Sequence, residues 1–147
     1  MKYPDILERF LSYVAIDTQS SDTSETFPST AKQKDLAAKL GPELEALGLK
    51  DVQVTPWGYV LAGLGTNQTH QVPTIALIAH MDTSPAVSGT GVRPKLHRDY
   101  QGQDLVLSES ENVVLKTSDN PYLLKQLGKT IITGSGDTLL GADNKAG

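Results

Sequence analysis

The chain contains no cysteine. Disulfides and thiolate metal ligands are therefore excluded, and any zinc site built from it must use imidazole and carboxylate. A Cys-free composition suits the cytosol. Aromatic residues make up 5 %, which is lean for a large core. Basic residues are in the minority, 13 Lys and Arg against 17 Asp and Glu for a net charge of −4. With no basic stripe to neutralise phosphates or hold an anionic bilayer, neither nucleic acid nor membrane is expected as a partner. No apolar run approaches the ~20 residues of a membrane span. The start, Met1-Lys2-Tyr3-Pro4-Asp5, leads into a charged amphipathic stretch rather than a signal region. The expectation is a soluble, cytoplasmic chain that is not exported.

What is present is 147 residues, 38 % hydrophobic and 20 % charged, enough for one core and one domain. Pro4 followed by Ile6, Leu7, Phe10, Leu11 and Val14 predicts an amphipathic helix ending near Ala15. Residues 17–30, rich in Ser, Thr and Asp, predict a loop, because these side chains compete for backbone hydrogen bonds. Ser29 or Thr30 can cap a second helix carrying Leu36, Leu40, Leu44 and Leu47, which Pro42 should kink and Gly48 should end. Short strands are expected at 52–54 and 60–64, around a Pro56-Trp57-Gly58 turn. The uninterrupted apolar run 74–79 reads as a central strand. Residues 84–126 read as loop-rich, with a short helix around Leu123, Leu124 and Leu127. Residues 130–133 and 138–140 are expected to pair as a hairpin across Gly134-Ser135-Gly136-Asp137. A helix followed by such runs points to an α/β fold.

The chemistry concentrates in two places. The run 74–79 delivers His80 and, two residues on, Asp82; side chains two apart on a strand share a face, so Asp82 is placed to orient His80. The bland alternative is a strand-end His and a turn-forming Asp before Thr83-Ser84-Pro85. Asp143, in Gly141-Ala142-Asp143-Asn144, is either an acid held at a Gly-flanked turn for chemistry or an acidic cap of a following helix. His70 and His97 lie in polar stretches and read as solvated, Trp57 as a packing residue. Ser20 and Ser21 have no Gly-x-Ser-x-Gly elbow or paired His, so serine hydrolysis has no support.

The joint pattern narrows these alternatives. Asp17-Thr18-Gln19-Ser20, Ala79-His80-Met81-Asp82-Thr83-Ser84-Pro85 and Thr138-Leu139-Leu140-Gly141-Ala142-Asp143-Asn144-Lys145-Ala146-Gly147, in this order and spacing, closely resemble the peptidase T family. These are the tripeptide aminopeptidases within the larger group of di-zinc exopeptidases and deacylases. The resemblance covers the whole chain but about the first third of a typical member, so it implies that residues 1–147 are the N-terminal portion of a catalytic domain. That domain would have a mixed, mainly parallel central sheet flanked by helices, truncated here, with the lid domain and the C-terminal part absent.

The same resemblance implies two Zn²⁺ ions, with His80 a ligand of one, Asp143 the carboxylate bridging both, and Asp82 the catalytic residue that orients His80. The activity implied is release of the N-terminal residue from tripeptides by metal-activated water, on short peptides with a free N-terminus. The base and the remaining ligands would lie beyond this sequence, so the chain alone is expected to bind zinc weakly and not to turn over. Asn144 departs from the family, where a second Asp is common. A related metal-dependent deacylase or dipeptidase, or a non-catalytic remnant, are the other readings. A sheet cut short also leaves an open edge, through which copies of the chain can associate.

Overall fold

The computed structural model describes residues 6–147; the expected Pro4 helix start lies outside them. Helix α1 spans Ile6–Val14 and buries Val14, the last member of its apolar stripe. Helix α2, Gln33–Ala46, buries Leu36 and Ala37. Neither Ser29 nor Thr30 caps it: the N-cap is Lys32, without a side-chain cap. The Ser29 hydroxyl instead accepts from the Ser21 N–H and the Gln33 amide, and the Thr30 hydroxyl donates to the Gln19 carbonyl. These side chains close the preceding loop rather than the helix. α2 runs through Pro42 without a break.

Gly48 ends α2 as expected. Its φ is +86°, its N–H donates to the Glu45 carbonyl, and the Leu49 N–H reaches back to Leu44. That pair of bonds is the Schellman arrangement, which needs a left-handed residue and favours glycine. α1 and α2 meet at Glu43, which accepts from the Tyr13 hydroxyl and pairs with Lys39 and Arg9.

The strands form three separate two-stranded antiparallel ladders. β1 (Lys50–Val54) and β2 (Val60–Gly63) turn at Gly58, as the Pro56-Trp57-Gly58 signal predicts, and α2 packs over them. β3 (Lys95–His97), β4 (Leu105–Ser108) and β5 (Val113–Leu115) fall in the region expected to be mostly loop. β4 pairs with β5, and a 3-10 helix at Pro121–Gln126 realises the short helix expected around Leu123. β6 (Ile131–Thr133) pairs with β3, not with residues 138–140 as expected from the hairpin signal. In place of that hairpin, the Leu139 N–H donates to the Ser88 carbonyl, and Arg93 pairs with Asp137 at 2.7 Å. Five-residue helix α3, Ala142–Ala146, follows. Tyr100 is fully buried, its hydroxyl donating to the Gln103 carbonyl and its backbone bonded to Gly128 and Lys129.

Two expectations are corrected. The described residues form no parallel sheet, and the run 74–79 is not a strand. Residues 74–80 make no backbone–backbone hydrogen bond among the described residues, and Ile75, Leu77 and Ile78 are 85, 96 and 93 % exposed. An apolar run supplies the side chains of a central strand, but a strand also needs neighbours for its N–H and C=O groups, and none is present here. Trp57 is likewise exposed rather than packed.

A direct check on the α2 terminus is Gly48→Ala. No atom lies within 4 Å of the added methyl group, so the left-handed backbone alone sets the cost. The substitution is expected to lower stability by about 1 kcal/mol in urea unfolding, with Gly48→Asn losing less.

Candidate functional site

Two stretches distant in sequence meet in a short parallel bridge between Gln19 and Thr83. The Thr83 N–H donates to the Thr18 carbonyl at 3.1 Å, and the Ser20 N–H donates to the Thr83 carbonyl at 2.9 Å. Thr18 and Thr83 are both buried. Asp17 anchors the start of this loop, accepting from the Gln19 N–H, Lys32 and the Thr90 hydroxyl. The bridge fixes the backbone directly after Asp82. α3 then docks against it from two neighbouring positions: the Asn144 amide donates to the Met81 carbonyl at 2.7 Å, and the Lys145 ammonium donates to the Thr18 hydroxyl.

Gly141 permits this docking. Its φ is +65°, and a Cβ there would lie 2.7 Å from Thr83 Cγ2. The joint is not fully satisfied: Thr83 Oγ1 and Asn144 Oδ1 are buried without a hydrogen-bond partner among the described residues. Each such atom costs roughly 1–3 kcal/mol, so the tethers from Asn144 and Lys145 work against a real penalty.

The result is a cleft of about 280 Å³ in which His80, Asp82 and Asp143 come together. His80 Nδ1 lies 3.0 Å from Asp82 Oδ1, and Nε2 lies 3.2 Å from Asp143 Oδ2. Both imidazole nitrogens thus face carboxylates. Hydrogen bonds to Asp82 and then Asp143 raise the His80 pKa, outweighing partial burial. Burial works to raise Asp82, but hydrogen bonds from His80 and Ser20 hold it below the usual carboxylate range. Asp143 is lowered chiefly by His80. Burial pulls Lys145 down to about 8, against the charges of Asp17 and Asp82.

His70 is exposed, and His97 sits on β3 against the Thr133 hydroxyl at 3.0 Å; neither joins the cleft. Sequence reasoning gave no role to Thr18, Thr83 or Lys145. The one available signal was their place inside the segments that carry the resemblance. Among the described residues, no group of three or more His, Cys, Asp or Glu side chains is arranged to hold a metal. His80 Nε2 and Asp143 are the two groups that could act as ligands, with Asp82 behind the imidazole.

The chain is 54 % identical over 143 residues to peptidase T of Clostridium botulinum strain 657, and 51 % identical over 142 residues to peptidase T of Halothermothrix orenii. Each match covers 97 % of this chain. The chain is a homologue of peptidase T. It spans about a third of the length of these peptidase T relatives, 35 % in each case. No protein-family model matches it. Among the described residues no helix is long and apolar enough to cross a membrane.

Two outcomes test the geometry. Gly141→Ala is expected to cost about 2–3 kcal/mol in urea unfolding, because the methyl group meets Thr83 and the backbone is left-handed. The second concerns pH in metal-free solution. A His80 pKa raised on folding contributes stability that is fully present below the unfolded value of about 6.5 and lost as pH rises through the folded value. The melting temperature of the wild type relative to His80→Gln should therefore fall as pH rises through that window.

Proposed function

We propose that the complete protein is a zinc-dependent tripeptide aminopeptidase, releasing the N-terminal residue of short peptides with a free N-terminus. The homology supports a peptidase. The observation that carries the metal reading is the His80 imidazole held between two carboxylates, 3.0 Å from Asp82 and 3.2 Å from Asp143.

The donor chemistry fits zinc. Two ligand atoms each about 2.0–2.1 Å from one tetrahedral ion stand roughly 3.3 Å apart, close to the 3.2 Å between His80 Nε2 and Asp143 Oδ2. His80 and Asp143 would hold the metal. Asp82 accepts the Nδ1 proton, which fixes the tautomer that leaves Nε2 free as a donor to metal and makes the ring more basic. When bound, the ions supply an acidified water for attack on the peptide carbonyl. Ser20, donating to the Thr83 carbonyl, keeps the backbone after Asp82 in place.

A closed zinc site needs about four ligands, and two are at hand. The base, the remaining ligands and the lid domain are assigned to the part of the protein matching the other two thirds of the relatives. The 147 residues are then the N-terminal portion of the catalytic domain. Zinc binding by this chain should be weak, and it should not turn over. The cytoplasm is the proposed location, which a composition without cysteine suits.

Zinc at ten times its Kd is expected to stabilise the chain by about 1.4 kcal/mol, an effect reversed by chelator and absent from His80→Ala and Asp143→Ala. A thermal-shift titration reads this. Activity is tested in a chimera in which these 147 residues replace the matching third of the C. botulinum relative. Zinc-dependent release of the N-terminal residue from an unblocked tripeptide, abolished by His80→Ala, supports the reading. Preferential cleavage of acylated amino acids or dipeptides overturns the substrate assignment.

A further inference from the structure

Lys145 is the one charged side chain that is buried among the described residues. Burying an ammonium is costly, and an apolar side chain of the same length would fill the space without that cost. The reaction proposed above gives Lys145 no part. What its ammonium meets is the Thr18 hydroxyl, with the carboxylates of Asp17 and Asp82 near enough for their charges to act on it.

Thr18 is bonded on two sides. Its carbonyl accepts the N–H of Thr83, directly after Asp82, and its hydroxyl accepts from Lys145, two residues after Asp143. The segments that carry the two carboxylates of the cleft therefore converge on one buried residue. Asp143 does not hold its own place. Its side chain is 87 % exposed, so packing does not fix it, and α3 has five residues, too few for a helix that is stable alone. The Asn144 amide ties α3 to the Met81 carbonyl, but a single bond leaves the helix free to turn about it. Consecutive residues stand about 100° apart around a helix, so a second bond from Lys145 stops that rotation.

We infer that Lys145 is a positioning residue for the metal pair: its contact with the Thr18 hydroxyl sets α3 so that Asp143 stands 3.2 Å from His80 Nε2. The inference rests on the zinc reading of that pair. It adds a role for a residue that touches neither metal nor substrate. The contact joins positions 127 apart in sequence, and it acts on the cleft through the placement of α3.

Zinc titration of the folded chain at low temperature tests this, because the affinity of the folded chain is independent of its global stability. Lys145→Met keeps the length of the side chain and removes the donor, whereas Thr18→Val keeps the shape and removes the acceptor. Each is expected to weaken zinc binding about tenfold, as groups behind the ligands do. The double variant should lose no more than either single one, since both changes remove the same contact. Thr18→Ser, which keeps the hydroxyl, should bind like the wild type. The metal-free chain gives a second reading. Amide exchange at Lys145 and Gly147, whose N–H groups donate to the Gly141 and Asp143 carbonyls, should quicken in Lys145→Met while the Thr83 amide of the bridge stays protected. Wild-type zinc affinity in Lys145→Met, losses that add in the double variant, or unchanged exchange across α3 overturns the inference. A wild type that takes up no zinc overturns the zinc reading, and amide exchange then decides the tether by itself. If Lys145→Met does not fold, Thr18→Val against Thr18→Ser makes the same comparison.

Discussion

The candidate site depends on one short parallel bridge. Two backbone hydrogen bonds join Thr18 and Ser20 to Thr83, and every group at the cleft is referenced to them. Asp82 directly precedes the bridge in the chain and His80 lies two residues earlier. Asp143 reaches the cleft because α3 is tied to the Met81 carbonyl through Asn144 and to Thr18 through Lys145. Loops of this length are costly to order, and two backbone bonds at about 1 kcal/mol each do not offset that cost alone. The burial of Thr18 and Thr83 and the ionic anchoring of Asp17 by Lys32 add to them. Gly141 is the steric condition for the whole joint, since no side chain larger than hydrogen fits between α3 and Thr83 without movement.

The buried core is small for the number of exposed apolar side chains. Val14, Leu36, Ala37, Tyr100 and Leu105 are the buried hydrophobics among the described residues, whereas the run 74–79 and the aromatic side chains at Phe27, Trp57 and Tyr59 face solvent. A contiguous apolar patch of this kind differs from the single apolar side chains scattered over an ordinary protein surface. The position of that patch, beside β2 and over α2, is where a sheet would continue.

Local elements were legible in the sequence where local interactions decide them. The apolar stripe of α1, the left-handed stop at Gly48 and the turn at Gly58 each depend on residues within a few positions, and each is found. What failed was pairing. The chain at 130–133 carries a good strand pattern, but the pattern does not name the partner, and Lys95–His97 takes it in place of 138–140. The run 74–79 failed in the opposite way, with a strong strand pattern and no partner at all. At the site, the sequence pointed to His80, Asp82 and Asp143, and their proximity is a property of the fold. Asn144 stood out as a departure from the family. Its amide donates to the Met81 carbonyl, a bond that an ionised Asp at the same position cannot make. Lys145, a charged residue in a short polar helix, gave no sign in the sequence that it would be buried.

In the proposed zinc site His80 and Asp143 are two ligands of one ion, held in position by the Gln19–Thr83 bridge. Anomalous diffraction at the zinc edge from a crystal of the chain soaked in zinc measures this directly. The account predicts a peak about 2 Å from both His80 Nε2 and an Asp143 carboxylate oxygen, with Asp82 hydrogen-bonded to Nδ1. A zinc peak on His70 or His97 with none in the cleft, or a crystal that takes up no zinc, would contradict it.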